Sequence, residues 1–189
     1  MSSSEQDGSL GTMPFYESEP LTPAAYLSRP SRFSLVCRPE SGGEAEPCVA
    51  YAANPGRMHE LLLPGCTLHL AARSGGKLAW EAVAASYEGR WPGDRPRVVF
   101  LQAAKVNELV AAVLRQRALP ALEAHAIERR ESPLGDTRVD FLLRGRDGTR
   151  YLLEVKSVSL VEHGVAMFPD AVTARGLHHI DTLLKAPLP

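Results

Sequence analysis

Hydrophobic positions change their rhythm part-way along the chain. Short apolar runs at Arg32–Arg38, Cys48–Ala53, Thr67–Arg73 and Lys77–Ser86 predict strands, with Leu68 and Leu70 alternating with polar neighbours. The breaks between them are rich in turn residues: Asn54-Pro55-Gly56, Pro64-Gly65 and Ser74-Gly75-Gly76. Arg57–Leu63 fits a single helical turn. Closely spaced short strands of this kind predict a small β-barrel. Val98–Leu101 is one more apolar strand, and there the pattern changes. Val106, Leu109, Val110, Val113 and Leu114 recur on one helical face, with Asn107 placed to cap it. Val139–Leu143 and Tyr151–Val155 predict two strands joined across Arg144–Arg150. Thr173–Lys185 predicts a second amphipathic helix with Leu177, Ile180 and Leu184 inward. Strand, helix, strands, helix is an α/β order. The chain divides into a polar, acidic leader over 1–20, expected to be disordered, a barrel over 21–97 and an α/β domain over 98–189.

Charge narrows the functional classes. The 189 residues carry 21 Lys and Arg against 22 Asp and Glu, a net charge of −1. Residues 21–105 hold 10 basic and 7 acidic residues, so any grip on phosphate must be local. No apolar run is long enough to span a bilayer, and the N-terminus lacks a signal pattern. Cys37, Cys48 and Cys66 suit neither a disulfide framework nor a zinc site and read as small apolar core residues in a reducing cytoplasm. His59, His69 and His125 are isolated and receive no ligand role. Trp80 suits strand packing and Trp91 a loop.

The chemistry concentrates at Asp140, Glu154 and Lys156. Glu154 and Lys156 are two apart on a strand and share a face. Two carboxylates converging beside an ammonium make a site for Mg²⁺ or Mn²⁺, with Lys156 steadying charge on phosphate. That is the logic of a metal-dependent nuclease, and it depends on register. A two-residue Asp147-Gly148 turn sets Asp140 opposite Val155, on the wrong face. A three-residue loop, Arg146-Asp147-Gly148 with Gly148 left-handed, sets Asp140 opposite Glu154. The bland alternative is a hairpin with its charges in solvent. Elsewhere, Arg29, Arg32 and Arg38 could line an oligonucleotide groove on the barrel. Phe33 fits a core position better than that groove. The Asn54–Met58 turn could present Arg57 to phosphate. Arg175 and His179 share a helix face that could contact phosphate, and Asp170 suits the cap of that helix.

Several motifs together resemble the sugar fermentation stimulation protein A family. They are Arg29 with Arg32-Phe33, Asn54-Pro55-Gly56-Arg57-Met58, Asn107-x-Leu109, Arg138-x-Asp140-Phe141 and Glu154-Val155-Lys156-Ser157-Val158. Phe168-Pro169-Asp170-Ala171-x-Thr173-x-Arg175-Gly176 and His179 complete the set. The resemblance implies an N-terminal OB-like β-barrel followed by a PD-(D/E)XK, restriction-endonuclease-like α/β domain. It implies DNA binding of low sequence specificity, with Arg138 among the contacting residues, no organic cofactor, and an association with sugar (maltose) metabolism. Family members usually carry a Glu in the first helix of the second domain, where this chain has Ala112. They also run on past Pro189 through a further strand and helix, so the nuclease-like sheet is expected to be C-terminally incomplete. Two functions stay open: a Mg²⁺-dependent phosphodiesterase, or a non-catalytic DNA-binding regulator on a vestigial nuclease fold.

Overall fold

The computed structural model describes residues 20–40, 45–89, 96–135, 137–163, 165–167 and 174–186. The expected leader, Trp91, Asp170 and the start of the Phe168–Gly176 motif lie outside them.

The first domain is a five-stranded barrel built from β1 (Thr22–Ser31), β2 (Ser34–Pro39), β3 (Cys48–Ala52), β4 (Thr67–Ala72) and β5 (Trp80–Tyr87). Its sheet runs β3-β2-β1-β4-β5 and closes where β3 pairs in parallel with the first half of β5, Ala50 opposite Trp80. Alternate residues of each strand point inward: Ala24 and Tyr26, Leu35 and Cys37, Ala50 and Ala52, Leu68 and Leu70. In β5 the alternation breaks, because a bulge beside His69 lets Ala82 and Ala85 both face the core. Met58 stands in the left-handed region at φ 51 and is buried with Leu61 and Leu62 in the same core. The N–H groups of Leu61 and Leu62 both reach the Met58 carbonyl, which makes the expected single turn. Cys37 is buried and Cys48 and Cys66 pack partly buried against the core, while Trp80 packs there from the start of β5.

Two barrel expectations need correction. The first strand is β1, which the sequence pattern hides. Pro23 and Pro30 argue against a strand, yet Pro23 lies at its start and Pro30 within a register shift between Ser28 and Ser31. Phe33 is not in the core. It sits in the β1–β2 turn, 48% exposed.

The strand expected to open the second domain, β6 (Arg97–Phe100), continues the barrel's sheet. It lies antiparallel to the second half of β5, with Ala84 opposite Phe100. A short 3-10 turn over Ala103–Lys105 then leads into α1 (Val106–Arg115). The second domain's sheet is antiparallel: β7 (His125–Leu134), β8 (Thr137–Gly145) and β9 (Arg150–Leu153). Ala111 and Leu114 of α1 pack on Phe141 and Leu143 of β8, with Leu153 and Val155 at the margin. β7 escapes sequence reading because most of it is exposed and polar, with Glu128, Arg129, Arg130 and Glu131 in succession. A small hairpin, β10 (Val161–Glu162) and β11 (Val165–Ala166), precedes α2 (Ala174–Lys185). The expected inward face of α2 is exposed: Leu177 at 63%, Ile180 at 43% and Leu184 at 80%. None of the three joins either core cluster, because no described element packs over them.

Candidate active site and its basic approach

The β8–β9 hairpin decides the site. Gly145 and Thr149 close a three-residue loop, Gly145 N–H reaching the Thr149 carbonyl at 2.8 Å. Gly148 takes φ +83, a conformation suited to a residue without Cβ. Asp147 fastens the loop by accepting from both Thr149 N–H at 3.0 Å and its hydroxyl at 2.9 Å. Those donors hold its carboxyl below the usual range. The register that follows pairs Phe141 with Leu153 and Leu143 with Tyr151. This is the register of the three-residue loop, and the ladder ends one step short of Asp140 and Glu154.

β9 ends at Leu153 because Asp140 takes over the next backbone donor. Its Oδ2 accepts the Val155 N–H at 2.7 Å, and its Oδ1 accepts from Asn107 Nδ2 at 2.7 Å. Asn107 therefore does not cap α1. The N-cap is Lys105, with no side-chain capping bond, and Asn107 reaches across to β8. With Leu153 and Val155 turned toward Phe141, Glu154 and Lys156 fall on the other face. Lys156 Nζ pairs with Glu154 Oε1; the glutamate side chain is only 11% exposed and the lysine 29%. Among the described residues no group of three or more His, Cys, Asp or Glu is gathered to hold a metal. The structure thus shows a Glu154–Lys156 ion pair and, one strand away, an Asp140 carboxylate held by Asn107 and the Val155 N–H. Arg138 lies two residues before Asp140 on β8, exposed.

On the barrel, Arg29, Arg32, Arg57 and His59 line a groove of about 330 Å³ walled by Pro55 and Gly56. Arg32 and Arg57 are exposed there, whereas Arg38, expected in the same groove, is exposed at the far end of β2, opposite Ala25, and does not line it. Arg29 has another task. Its guanidinium donates to the carbonyls of Gly56 at 2.6 Å and of Arg57, Arg32 and Asn54 at 2.8 Å each. Burial pulls its pKa down, offset by nearby Tyr26. Asn54 tightens the same turn, its Oδ1 accepting from Gly56 N–H at 2.9 Å. The two domains meet beside this turn: Ser159 Oγ donates to Glu60 at 2.9 Å, and Arg97 donates to the Val161 carbonyl. Arg175 and His179 fall within α2, but their side chains lie outside what the structure describes.

The family model described as the SfsA N-terminal OB domain matches residues 27–93, and that of the sugar fermentation stimulation protein RE domain matches residues 104–187. The chain belongs to the sugar fermentation stimulation protein family. Homologues of that name are 39% identical in Moorella thermoacetica, over 87% of this chain and 67% of theirs, and 39% identical in Chloroflexus aurantiacus, over 92% and 63%. The chain thus spans about two thirds of the length of the curated relatives it matches. The fold of Pyrococcus furiosus SfsA, solved in complex with Ca²⁺, matches with a TM-score of 0.72 and 28% identity, over 92% of this chain and 70% of that one. That match and the OB-domain match agree with the family's architecture, an OB barrel followed by an α/β domain. Sequence reading missed Asn107 as a partner of Asp140. An Asn inside the first turn of a helix, where it is a poor helix former, was the available signal.

Proposed function

We propose that the chain binds nucleic acid along the basic face of its barrel and cleaves phosphodiester bonds at Asp140, Glu154 and Lys156 with a divalent cation, Mg²⁺ or Mn²⁺. What supports the reading is the bulged hairpin, whose register runs to Phe141 opposite Leu153, the position next to Asp140 and Glu154, with Lys156 paired to Glu154. The donor set fits a hard cation: two carboxylates offer oxygen ligands, and water or substrate phosphate would complete the shell, as is usual for Mg²⁺. The Ca²⁺ named with the Pyrococcus furiosus relative is a cation of the same oxygen-seeking kind. When bound, the cation supplies Lewis acidity toward phosphate and a nucleophile from water. Asn107 and the Val155 N–H hold the Asp140 carboxylate in one orientation. Lys156 sits where it can shift from Glu154 toward charge developing on the phosphate. Arg32, Arg57 and Arg138 would steer the backbone through phosphate contacts that carry no sequence information.

A second reading is favoured by Ala112 in α1, whose methyl supplies no ligand where relatives usually place a carboxylate. The chain would then be a non-catalytic DNA-binding regulator in the sugar-related process for which its relatives are named. Incubating plasmid with Mg²⁺ or Mn²⁺ separates the two. Cleavage by the parent that disappears in Glu154→Ala supports the phosphodiesterase. Cleavage that survives the substitution refutes the site, and binding without any cleavage selects the regulator.

A further inference from the structure

Resting on that reading, we infer that the nucleic acid this chain engages is a single strand, whose unpaired bases stack on Phe33 and enter a cleft between the two domains. Two separate features point there. The first is a ring platform on the barrel. Tyr51 and Phe33 lie with centroids 6.5 Å apart and planes 22° from parallel, and the Arg73 guanidinium stands 4.6 Å over the Tyr51 ring. Tyr51 and Arg73 are partly covered, while Phe33 is the most exposed of the three at 48%. Phe33 belongs to neither core cluster. It adjoins Arg32 in sequence, and its carbonyl accepts the Ala52 N–H, which fixes the platform beside the Asn54–Arg57 turn. Aromatic rings next to a basic groove are the standard means of holding single strands, because every unpaired base offers a π-face. In a duplex those faces are already stacked on neighbouring pairs.

The second feature is the cleft itself. About 160 Å³ of space lies between Asn54 and Gly56 of the barrel turn, Phe100, and Ser157, Ser159 and Met167 of the second domain. Pro55 and Gly56 wall both this cleft and the basic groove, so a single turn borders the two. Ser157 of the cleft wall directly follows Lys156 in the chain. Its lining mixes ring and thioether with hydroxyls and an amide, the combination that suits a planar base with polar edges. A cleft this small has room for a single base rather than a pair. A base from a duplex would first have to be unstacked and unpaired, at a cost of a few kcal/mol. Groove and cleft thus share the Asn54–Arg57 turn, with the Phe33 platform beside it on the barrel.

The test is fluorescence anisotropy with a labelled single-stranded DNA, the RNA of the same sequence, and the DNA duplex, at low salt and without divalent cation. The parent should bind at least one single strand about tenfold more tightly than the duplex. Phe33→Ala should weaken single-strand binding by roughly 5- to 100-fold and leave duplex binding unaltered, with at most a small drop in melting temperature from the lost ring pair with Tyr51. Ala103→Leu, which fills the cleft from the 3-10 turn, should quench the response of a 2-aminopurine placed within the strand. Equal or tighter duplex binding, with Phe33→Ala indistinguishable from the parent, overturns the inference while leaving the proposed nucleic-acid binding intact. Failure of all three nucleic acids to bind removes both.

Discussion

Arg29 offers the sharpest separation between a residue that touches a ligand and one that builds the surface a ligand uses. Three of its four hydrogen bonds tie β1 to the Asn54–Arg57 turn, which walls both the groove and the cleft, and the fourth holds the β1–β2 turn at Arg32. Arg29→Met keeps the length of the side chain and removes every donor. The bonds to Gly56 and Asn54 are partly buried, and each should contribute about 1 kcal/mol net. Those to Arg57 and Arg32 are exposed and should contribute roughly half that. The expected loss is about 3 kcal/mol, which for a chain of this size lowers the melting temperature by roughly 6–12 °C. Arg29→Lys should recover less than half, because an ammonium cannot reproduce the planar fork that serves several carbonyls at once. Circular dichroism melts measure the loss, and oligonucleotide anisotropy on the same samples measures binding. Arg32→Ala is the contrasting control. It should melt with the parent, bind more weakly, and lower the salt dependence of binding. If Arg29→Met melts within about 2 °C of the parent yet loses affinity as Arg32→Ala does, Arg29 is a phosphate ligand and the reasoning fails.

Three other outcomes are expected. Mg²⁺ at about 100 times its dissociation constant should stabilise the parent by roughly 2.7 kcal/mol; Glu154→Gln should abolish that gain, and Lys156→Met should cut cleavage while leaving cation affinity equal or better, both read by thermal melts and a nicking assay. Asn107→Leu should cost about 1–2 kcal/mol by leaving Asp140 Oδ1 without its donor, and Asn107→Asp should make the protein more acid-tolerant than neutral-tolerant by placing two carboxylates together. His69 is half-buried and hydrogen-bonded to Ser86, and its pKa is pulled below 6.5, chiefly by that burial and against the pull of Glu40. The unfolded chain therefore takes up a proton that the folded one refuses, so the stability His69 lends is present above pH 6.5 and is lost as pH falls through and below that value. Urea titrations from pH 7.5 to 5 should show a shallower decline in His69→Gln, and parallel slopes would refute the assignment.

What could be read from the chain follows a physical dividing line. β3 and β4 are legible because alternation and turn residues act locally. The hairpin register was legible as a choice between two, since Gly148 can take the left-handed conformation that the bulged loop needs. β1 was hidden because its two prolines are tolerated only through a strand end and a bulge, features of the assembled sheet. Asn107 was misread because its partner is 33 residues away, and a cap and a tertiary donor look alike in one dimension. The spacing of Leu177, Ile180 and Leu184 correctly marks an apolar helix face, but periodicity carries no information about what covers it. The Glu60–Ser159 contact between domains had no sequence signal at all.

The placement of β6 bears on how the two halves can be separated. β3 occupies only the first half of the β5 edge, and β6 occupies the rest, from Ala84 to Tyr87. A barrel cut from the chain at residue 96 would present that stretch of β5 with its backbone groups unpaired, an invitation to strand addition by another molecule. The isolated barrel should therefore self-associate, whereas one carried through Phe100 should stay monodisperse. The same strand leads straight into the 3-10 turn and α1, so the segment that seals the first domain also sets where the second begins. A hinge between the halves would fall after β6, where the Leu101 and Ala103 N–H groups are held by the barrel carbonyls of Val83 and Ala53, so swinging α1 away would mean breaking those bonds.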